Sequence, residues 1–555
     1  MLAMPAPAKV LIEGLSGPLE ANVRAALGIA ALGKAATPAA IERGHRRARK
    51  QIREALQGFG YYRPEINAEL NLDSDPWLAR YQITPGSRTI IRTVDIQLEG
   101  PGARALSALR EETGLVDQPL NHNDYRALKQ KLLNRAFSAG YLDAELIQRR
   151  LEIDPAAATA RIELTLFSGE AFYFGRVDVR QEILAPQMID RYIHIREGDP
   201  FDPDALLRLQ LRLSDLDYFQ ALEVETERSG DPPDHIDVTI LTTPQKPQRY
   251  QLGLGFGTDT GVRFTANTEF RRLNRRGHRL RNDLRISEVR TGLNARYLIP
   301  AGRVPGAHWY LNLGFNEEVL GDTRSDEYQL GLGRERIQGP RHWQYYINYE
   351  LESFRFADGR QETELLSPGL SLTLRRADDQ LNPRRGYRLF ADVHGALREF
   401  ASSASFVQTL LQANAIVPLG SRSRMLLRGQ LGSSFVGDVS ELPVSQRFFA
   451  GGDRSIRGYS YRSLGPRNDA GEVIGGEFLS LASVEIDRLF WRNYGAALFF
   501  DYGGASDQFG ELLQRSVGLG FRWRTAIGML RVDVARPLDD PNTAVRLHIG
   551  IGAEL

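Results

Sequence analysis

The segment from Arg447 to Tyr459, RFFAGGDRSIRGY, combines four charged side chains with aromatic residues and three glycines. An arginine enclosed away from bulk water needs a carboxylate for its planar fork and a flat neighbour for stacking. Strand-like alternation places Phe499, Asp501 and Gly503 on one face of the segment FFDYG. We therefore expect Arg457 to pair with Asp501 and to stack on Phe499. The alternative is an unpaired Arg457 in an exposed loop, as is usual for loop arginines.

Other residue types capable of chemistry do not form a recognisable site. The nine histidines are far apart, without the spacing of a metal site, and no carboxylate pair stands isolated in an apolar setting. The motif Gly-x-Ser-x-Gly is absent, which argues against a hydrolase nucleophile. Gly253–Gly257 (GLGFG) has glycines at a spacing of two and no following helix, so it does not indicate a phosphate loop. We predict no catalytic, cofactor or metal site, and a protein that is not an enzyme.

Composition restricts the partners and the architecture. The 70 Lys and Arg residues nearly balance 69 Asp and Glu residues, so the net charge of +1 gives no support for nucleic-acid binding. A length of 555 residues implies several domains. No apolar run reaches the roughly 20 residues of a membrane-spanning helix. A transmembrane β-barrel remains compatible, because its lumen-facing residues are polar and hide the hydropathy signal.

The first 245 residues contain one unit repeated three times. Its marker is a glycine or aspartate before an aromatic residue at a helix end, in Gly60-Tyr61, Gly140-Tyr141 and Asp217-Tyr218, with the tyrosines 80 and 77 residues apart (141 − 61 and 218 − 141). Apolar periodicity predicts the order strand, two helices, two strands in each unit. Glycine suits a left-handed helix end, and Asp217 departs from that pattern. The alternative is three ordinary α+β domains in which this dipeptide is only a packed corner.

From about residue 247 the chain alternates between apolar and polar residues to its end. Val545, Leu547 and Ile549, for example, alternate with Arg546 and His548. Turn signals divide this region into about sixteen strands, which is typical of an outer-membrane barrel. A β-sandwich or propeller is the competing class, but the nearly unbroken apolar face, strand after strand, favours a barrel.

Several segments resemble the TamA family, the outer-membrane subunits of the translocation and assembly module in the BamA/TamA outer-membrane assembly superfamily. They are Arg447–Tyr459, the block Val517–Pro537 and the ending Gly550–Leu555. The resemblance implies three tandem α+β POTRA domains (βααββ) at residues 1–87, 88–170 and 171–246. A 16-stranded antiparallel transmembrane β-barrel would follow at residues 247–555, with an internal loop at 435–475.

The resemblance also implies a location and partners. The barrel would lie in the outer membrane of a Gram-negative cell, with the POTRA domains in the periplasm. It would help to insert β-barrel proteins and autotransporters, taking unfolded clients and binding a TamB-like inner-membrane-anchored protein through POTRA domain 1, without a cofactor. The alternatives are a two-partner-secretion-type transporter and a passive gated pore.

Three sets of site residues follow from the resemblance and from the face pattern. Glycine-rich first and last strands, Arg249–Gly257 and Ala544–Leu555, predict a weak lateral seam, since few side chains can pack across it. The loop anchor is expected at Ile456, Arg457, Gly458 and Tyr459. The barrel-wall partners are expected at Phe499, Asp501, Gly503, Arg522 and Asp533. The seam is expected at Leu252, Gly253, Gly255, Gly550 and Gly552.

Overall fold

The computed structural model describes residues 9–32, 36–74, 76–320, 323–356, 359–380, 382–525, 528–540 and 544–552. The first residues of the predicted N-terminal domain and residues 553–555 of the predicted last strand lie outside these ranges. The chain divides into two compact units, of which the second comprises residues 179–194, 209–223 and 241–555. Within the described residues, no helix is long and apolar enough to span a bilayer.

Three small three-stranded sheets with helices make up the N-terminal part. The first contains β1 (Lys9–Glu13), α1 (Gly17–Ala26), α2 (Pro38–Gln57), β2 (Glu65–Asn71) and β3 (Leu78–Thr84). The second contains β4 (Ile90–Glu99), α3 (His122–Ser138), β5 (Glu145–Asp154) and β6 (Thr159–Phe167). The third contains β7 (Tyr173–Arg180), α4 (Pro186–Asp190), α5 (Pro203–Ser214), β8 (Phe219–Arg228) and β9 (His235–Pro244). The strand orders β1-β3-β2, β4-β6-β5 and β7-β9-β8 repeat one topology.

Each sheet packs a helix through a stripe of buried apolar residues. In α2, the side chains of Ile41, Ala48, Ile52 and Leu56 are buried at helical spacing. They meet Tyr81 and neighbouring residues of β3 in one core. The second repeat differs from the predicted pattern in its first helical segment, which consists of the 3₁₀ helices Pro101–Ala103 and Ser107–Glu111.

The corner after the last helix of each repeat has a left-handed backbone. The φ angles are +89° at Gly60, +87° at Gly140 and +55° at Asp217. A Cβ on Gly60 would lie 2.5 Å from the carbonyl oxygen of Leu120, so this corner has no room for a side chain. Asp217 adopts the same conformation, which aspartate tolerates better than most residues.

The C-terminal region forms a closed barrel of sixteen antiparallel strands. The strands are β10 (Gln248–Gly257), β11 (Gly261–Phe270), β12 (Arg279–Ile286), β13 (Arg290–Pro300), β14 (Ala307–Leu320), β15 (Thr323–Gln338), β16 (Arg341–Phe356), β17 (Gly359–Ala377), β18 (Gly386–Ala396), β19 (Phe406–Pro418), β20 (Ser423–Val436), β21 (Phe478–Leu489), β22 (Tyr494–Ser506), β23 (Gln514–Thr525), β24 (Gly528–Pro537) and β25 (Arg546–Gly552). This architecture confirms the predicted fold class.

Alternation along each strand separates the two faces of the barrel. In β22, Leu498, Phe500 and Tyr502 are exposed on the outer face. Phe499 and Asp501, between them, are buried on the inner face. An apolar outer surface and a polar, charged interior are the arrangement expected of a barrel surrounded by lipid.

Among the described residues, one pair of neighbouring strands in the barrel has far fewer paired residues than the pairs beside it. β10 pairs with β11 along its whole length, from Gln248 to Gly257. β25 pairs with β24 from Arg546 to Gly552. Between β10 and β25, the only Cα partners among the described residues are Gly257 and Gly550. We call this joint the seam.

Candidate functional site

A long connection between β20 and β21, residues 437–477, folds into the barrel; we call it the internal loop. Its residues contact several strands of the wall. The backbone N–H of Ser445 donates to Glu352 of β16, and the side-chain amide of Gln446 donates to Glu350 of the same strand. Tyr461 donates to Glu318 of β14 at 3.2 Å. The loop therefore occupies the interior of the barrel and does not extend away from it.

Arg457 is the most extensively bonded residue of the internal loop. Its Nε and Nη2 donate to the two carboxylate oxygens of Asp501 at 2.8 and 2.9 Å. Its Nη1 lies 2.7 Å from Glu485 and 3.1 Å from Asp533. The guanidinium carbon is 3.4 Å from the centre of the Phe499 ring, a cation–π contact. All of these side chains are buried, so their electrostatic interactions are weakly screened.

A second buried arginine completes the network. Arg522 on β23 donates to Glu485 at 2.6 Å and to Asp533 at 2.5 Å. Glu485 and Asp533 are thus shared between Arg457 and Arg522. Sharing leaves no carboxylate of the network without a cation, which is the condition under which buried charges are tolerated.

Glycines of β23 make room for this network. A Cβ on Gly518 would collide with the Phe499 ring that stacks under Arg457. A Cβ on Gly520 would collide with the ion pair between Arg522 and Asp533. The alternation that keeps these glycines on the inner face therefore lets bulky groups lie flat against the wall.

The residues next to Arg457 also make contacts that hold this part of the internal loop in place. Ile456 is fully buried and packs with Tyr459 in a small apolar cluster. The Tyr459 hydroxyl lies 3.0 Å from Oε1 of Gln514. Gly458 has a φ of +96° and its N–H donates to Nε2 of His548 at 2.9 Å. Gly503, also left-handed at +150°, follows Asp501 on β22.

Asp453 of the internal loop also bridges the two sides of the seam. Asp453 accepts a hydrogen bond from Nδ1 of His548 on β25, because Nε2 of this ring accepts from Gly458. On the β10 side, Thr258 donates to Asp453 at 3.3 Å. The backbone N–H of Asp453 donates to Asp259 at 2.5 Å. We call this bridge the latch.

The latch residues also have the composition of a metal site. One ligand atom each from Asp259, Asp453 and His548 lies within 4.8 Å of the others. Both ring nitrogens of His548 are, however, engaged in hydrogen bonds within the protein. The ring of His548 is therefore occupied by a hydrogen-bonded bridge, whereas Oδ1 of Asp259 is buried without a hydrogen-bond partner among the described residues.

The residues predicted at the seam lie as follows. Gly550 is paired with Gly257 in the seam itself. Gly253 and Gly255 are on β10, paired with Thr265 and Arg263 of β11, and Gly552 is paired with Met529 of β24. Leu252 is 75% exposed on the outer face, so its side chain takes no part in closing the interior.

Sequence reasoning did not identify several residues of this site. Glu485, which bonds both buried arginines, belongs to β21, where the alternation of Glu485 and Asp487 with Val484 and Ile486 marked it as inward-facing. Asp453 and His548 are 95 positions apart, and only the barrel closure brings them together. No local pattern could have indicated that contact.

Comparison with known proteins agrees with this architecture. A model of the Omp85 superfamily domain matches residues 246–555. The chain belongs to the Omp85 superfamily. A POTRA model described as TamA domain 1 matches residues 9–85, and a further POTRA model, described as a surface antigen variable number repeat, matches residues 172–244. As an Omp85 protein, the chain is an outer-membrane β-barrel whose POTRA domains lie in the periplasm.

Curated relatives include two proteins named outer membrane protein assembly factor BamA. The one from Nitratidesulfovibrio vulgaris is 24% identical over 87% of this chain, and the one from Neisseria meningitidis serogroup B is 23% identical over 82%. The matches span 64% and 62% of the length of these relatives.

A solved structure with the same fold is BamA from Haemophilus ducreyi lacking POTRA domains 1–3. The two structures superpose with a TM-score of 0.71 at 15% identity, covering 84% of this chain and all of that one. At this identity the likeness establishes the fold alone.

Proposed function

We propose that this Omp85 protein is an outer-membrane assembly factor that inserts β-barrel clients through the seam between β10 and β25. The observation that carries the proposal is that, among the described residues, one pair of Cα partners, Gly257 with Gly550, joins these strands. A strand edge without a partner offers backbone donors and acceptors to an incoming strand, which is β-augmentation. The name of the BamA relatives, assembly factor, agrees with this role.

We infer a TamA-like function within this class. The match of residues 9–85 to a TamA POTRA model supports it. The proposed POTRA boundaries are residues 1–87, 88–170 and 171–246. Under this proposal, POTRA domain 1 binds a TamB-like inner-membrane-anchored protein, and the clients include autotransporters.

A covalent lock across the seam tests the proposal. The chain contains no cysteine, so the pair Gly257→Cys and Gly550→Cys introduces the only thiols. We expect the oxidised protein, reconstituted in liposomes, to lose its ability to fold a urea-denatured β-barrel client into a protease-protected form. A reductant should restore that activity.

The matched control places the same bond inside the continuous wall. Gly429 and Ala482 are Cα partners on β20 and β21, and a Gly429→Cys, Ala482→Cys disulfide should leave client folding unchanged. If the seam-locked protein folds its client as fast as the reduced form, insertion through the seam is wrong.

A further inference from the structure

A cavity of about 390 Å³ lies inside the barrel between the internal loop and the seam. Its wall includes Gly257 and Gly550, the two partners of the seam. Its volume falls in the range of about 300–1,000 Å³ that is typical of ligand sites. Arg457 and Asp533 of the network described above form part of its wall.

Arginine side chains dominate the lining of this cavity. Arg457 and Arg462 are neutralised by ion pairs with the wall, and Arg428 donates to Ser483. The other five lining arginines form no ion pair with any carboxylate in the described part of the chain. They are Arg290 and four that we call the open arginines: Arg263, Arg285, Arg454 and Arg531. The positive charges of Arg531, Arg263 and Arg285 repel that of Arg454.

The open arginines lie on both sides of the seam. Arg263 extends from β11 over Gly255 of β10, with Nη2 3.3 Å from the position a Cβ would take there. Arg531 extends from β24 towards Gly550 of β25, with Nη2 4.0 Å from the corresponding position. Arg454 comes from the internal loop between them. Closing the seam therefore brings like charges together, and their repulsion opposes closure.

The cavity lining contains too few carboxylates to offset these charges. Asp533 is already shared by Arg457 and Arg522. Asp259 and Asp453 remain, both engaged in the latch. Two carboxylates against four open arginines leave two positive charges, and Arg290, which also lines the cavity, raises the excess to three. A dianion offsets two of these three charges.

We propose that the cavity binds a phosphate-bearing anion that bridges the open arginines across the seam. A terminal phosphate carries a charge of about −1.5 to −2 near neutral pH and three acceptor oxygens, which suits several guanidinium forks at once. The anion holds the seam shut by replacing repulsion with shared attraction. The same phosphate chemistry is offered by free phosphate from the aqueous phase and by a lipid headgroup that enters through the seam.

The first experiment measures binding directly. The full chain in a neutral detergent is titrated calorimetrically with sodium pyrophosphate at constant ionic strength. We expect saturable binding by the wild type, and at least a tenfold weaker affinity in Arg454→Gln and in Arg531→Gln. The control is Arg388→Gln, which removes a luminal arginine of β18 that lies outside the cavity and forms no ion pair with a described residue. The affinity of this variant should stay within twofold of wild type.

The second measurement separates the loss of a ligand from the loss of the fold. Without added anion, Arg454→Gln removes a repelling charge and should unfold at a temperature equal to or above that of the wild type. Pyrophosphate should raise the unfolding temperature of the wild type, as a ligand specific to the folded state does, but not that of Arg454→Gln. Equal shifts in both proteins would show that the anion acts elsewhere.

The source of the phosphate is decided in nanodiscs. A photoreactive phosphatidic acid that crosslinks to residues 452–456, with crosslinking prevented by pyrophosphate, identifies a lipid headgroup. Calorimetric binding without this crosslink identifies a free phosphate.

Absence of saturable pyrophosphate binding, or equal affinity in all the variants, overturns the proposal. None of these measurements depends on client folding, so they stand or fall separately from the proposed function.

Discussion

Replacement of Arg457 by alanine should release the internal loop from the barrel wall. The change removes the cation that contacts Asp501, Glu485 and Asp533 and leaves Asp501 buried without its partner. Removing one member of a buried ion pair typically costs about 3–5 kcal/mol. Since about 1.4 kcal/mol corresponds to a factor of ten, the equilibrium for local opening should shift by roughly 100- to 4,000-fold.

Amide hydrogen exchange measures this shift at the loop itself. Peptides covering residues 451–459 of the full chain in detergent should lose protection by that factor, because exchange reports local opening. Arg457→Lys should give an intermediate loss, since an ammonium keeps the charge but not the bidentate fork. Arg388→Ala is the control and should change protection in this segment by less than tenfold.

A double-mutant cycle tests whether Arg457 and Asp501 act together. If they do, the variant carrying both Arg457→Ala and Asp501→Ala should lose little more protection than either single variant. Additive losses, or a loss below tenfold in Arg457→Ala, would refute the view that this ion pair anchors the loop.

Three further outcomes are expected. In planar bilayers the protein should give only small, erratic currents, because the internal loop fills the lumen; large stable currents would favour a passive pore. Acidification should weaken the contact between Tyr62 and His122, whose oxygen and nitrogen are 2.6 Å apart. Burial, helped by the charge of Arg126, lowers the pKa of His122 below 6.5. The contribution of neutral His122 to the free energy of unfolding is therefore fully present above pH 6.5 and is lost as the pH falls below it. Thermal unfolding of the isolated residues 9–170 at pH 7.5 and pH 5, with His122→Gln as a pH-insensitive control, checks this sign. Finally, Asp217→Ala should increase exchange at residues 215–219 more than Asp217→Gly, since alanine resists the left-handed backbone by about 1–2 kcal/mol; equal effects would assign the role of Asp217 to its ion pair alone.

The periodicity of the sequence was sufficient to predict the architecture. Alternation in segments such as Phe499–Gly503 predicted the inner and outer faces, and the tyrosine spacing predicted three repeats before the barrel. The start of the last strand was predicted less accurately, at Ala544, whereas β25 begins at Arg546. The predicted end at Leu555 lies outside the described residues.

Contacts within the site could be predicted only where alternation along a single strand was enough to place the partner residue. Arg457, Asp501 and Phe499 were named together because their residue types are complementary, and the structure has them in contact. The sharing of Glu485 with Arg522 depends on the registers of β21, β22 and β23, which alternation does not determine.

The departure at Asp217 shows a second limit. Its two counterparts are glycines, and the sequence indicated only that Asp217 departs from that pattern. The structure gives it the same left-handed backbone and a use for its side chain, since the carboxylate lies 2.9 Å from Nε of Arg271. A residue that departs from a repeat can therefore retain the backbone conformation and add a contact that the other repeats lack.

The sparse pairing of β10 with β25 has a consequence for the surrounding bilayer. Backbone N–H and C=O groups at hydrocarbon depth cost several kcal/mol each when nothing bonds to them. Along the described part of β10, only Gly257 has a partner in the described part of β25. The other edge groups of β10 need hydrogen bonds from water, from a lipid headgroup or from another polypeptide segment. A client strand that reaches this edge can supply those bonds, and among the described residues it has to displace only the pair of Gly257 with Gly550.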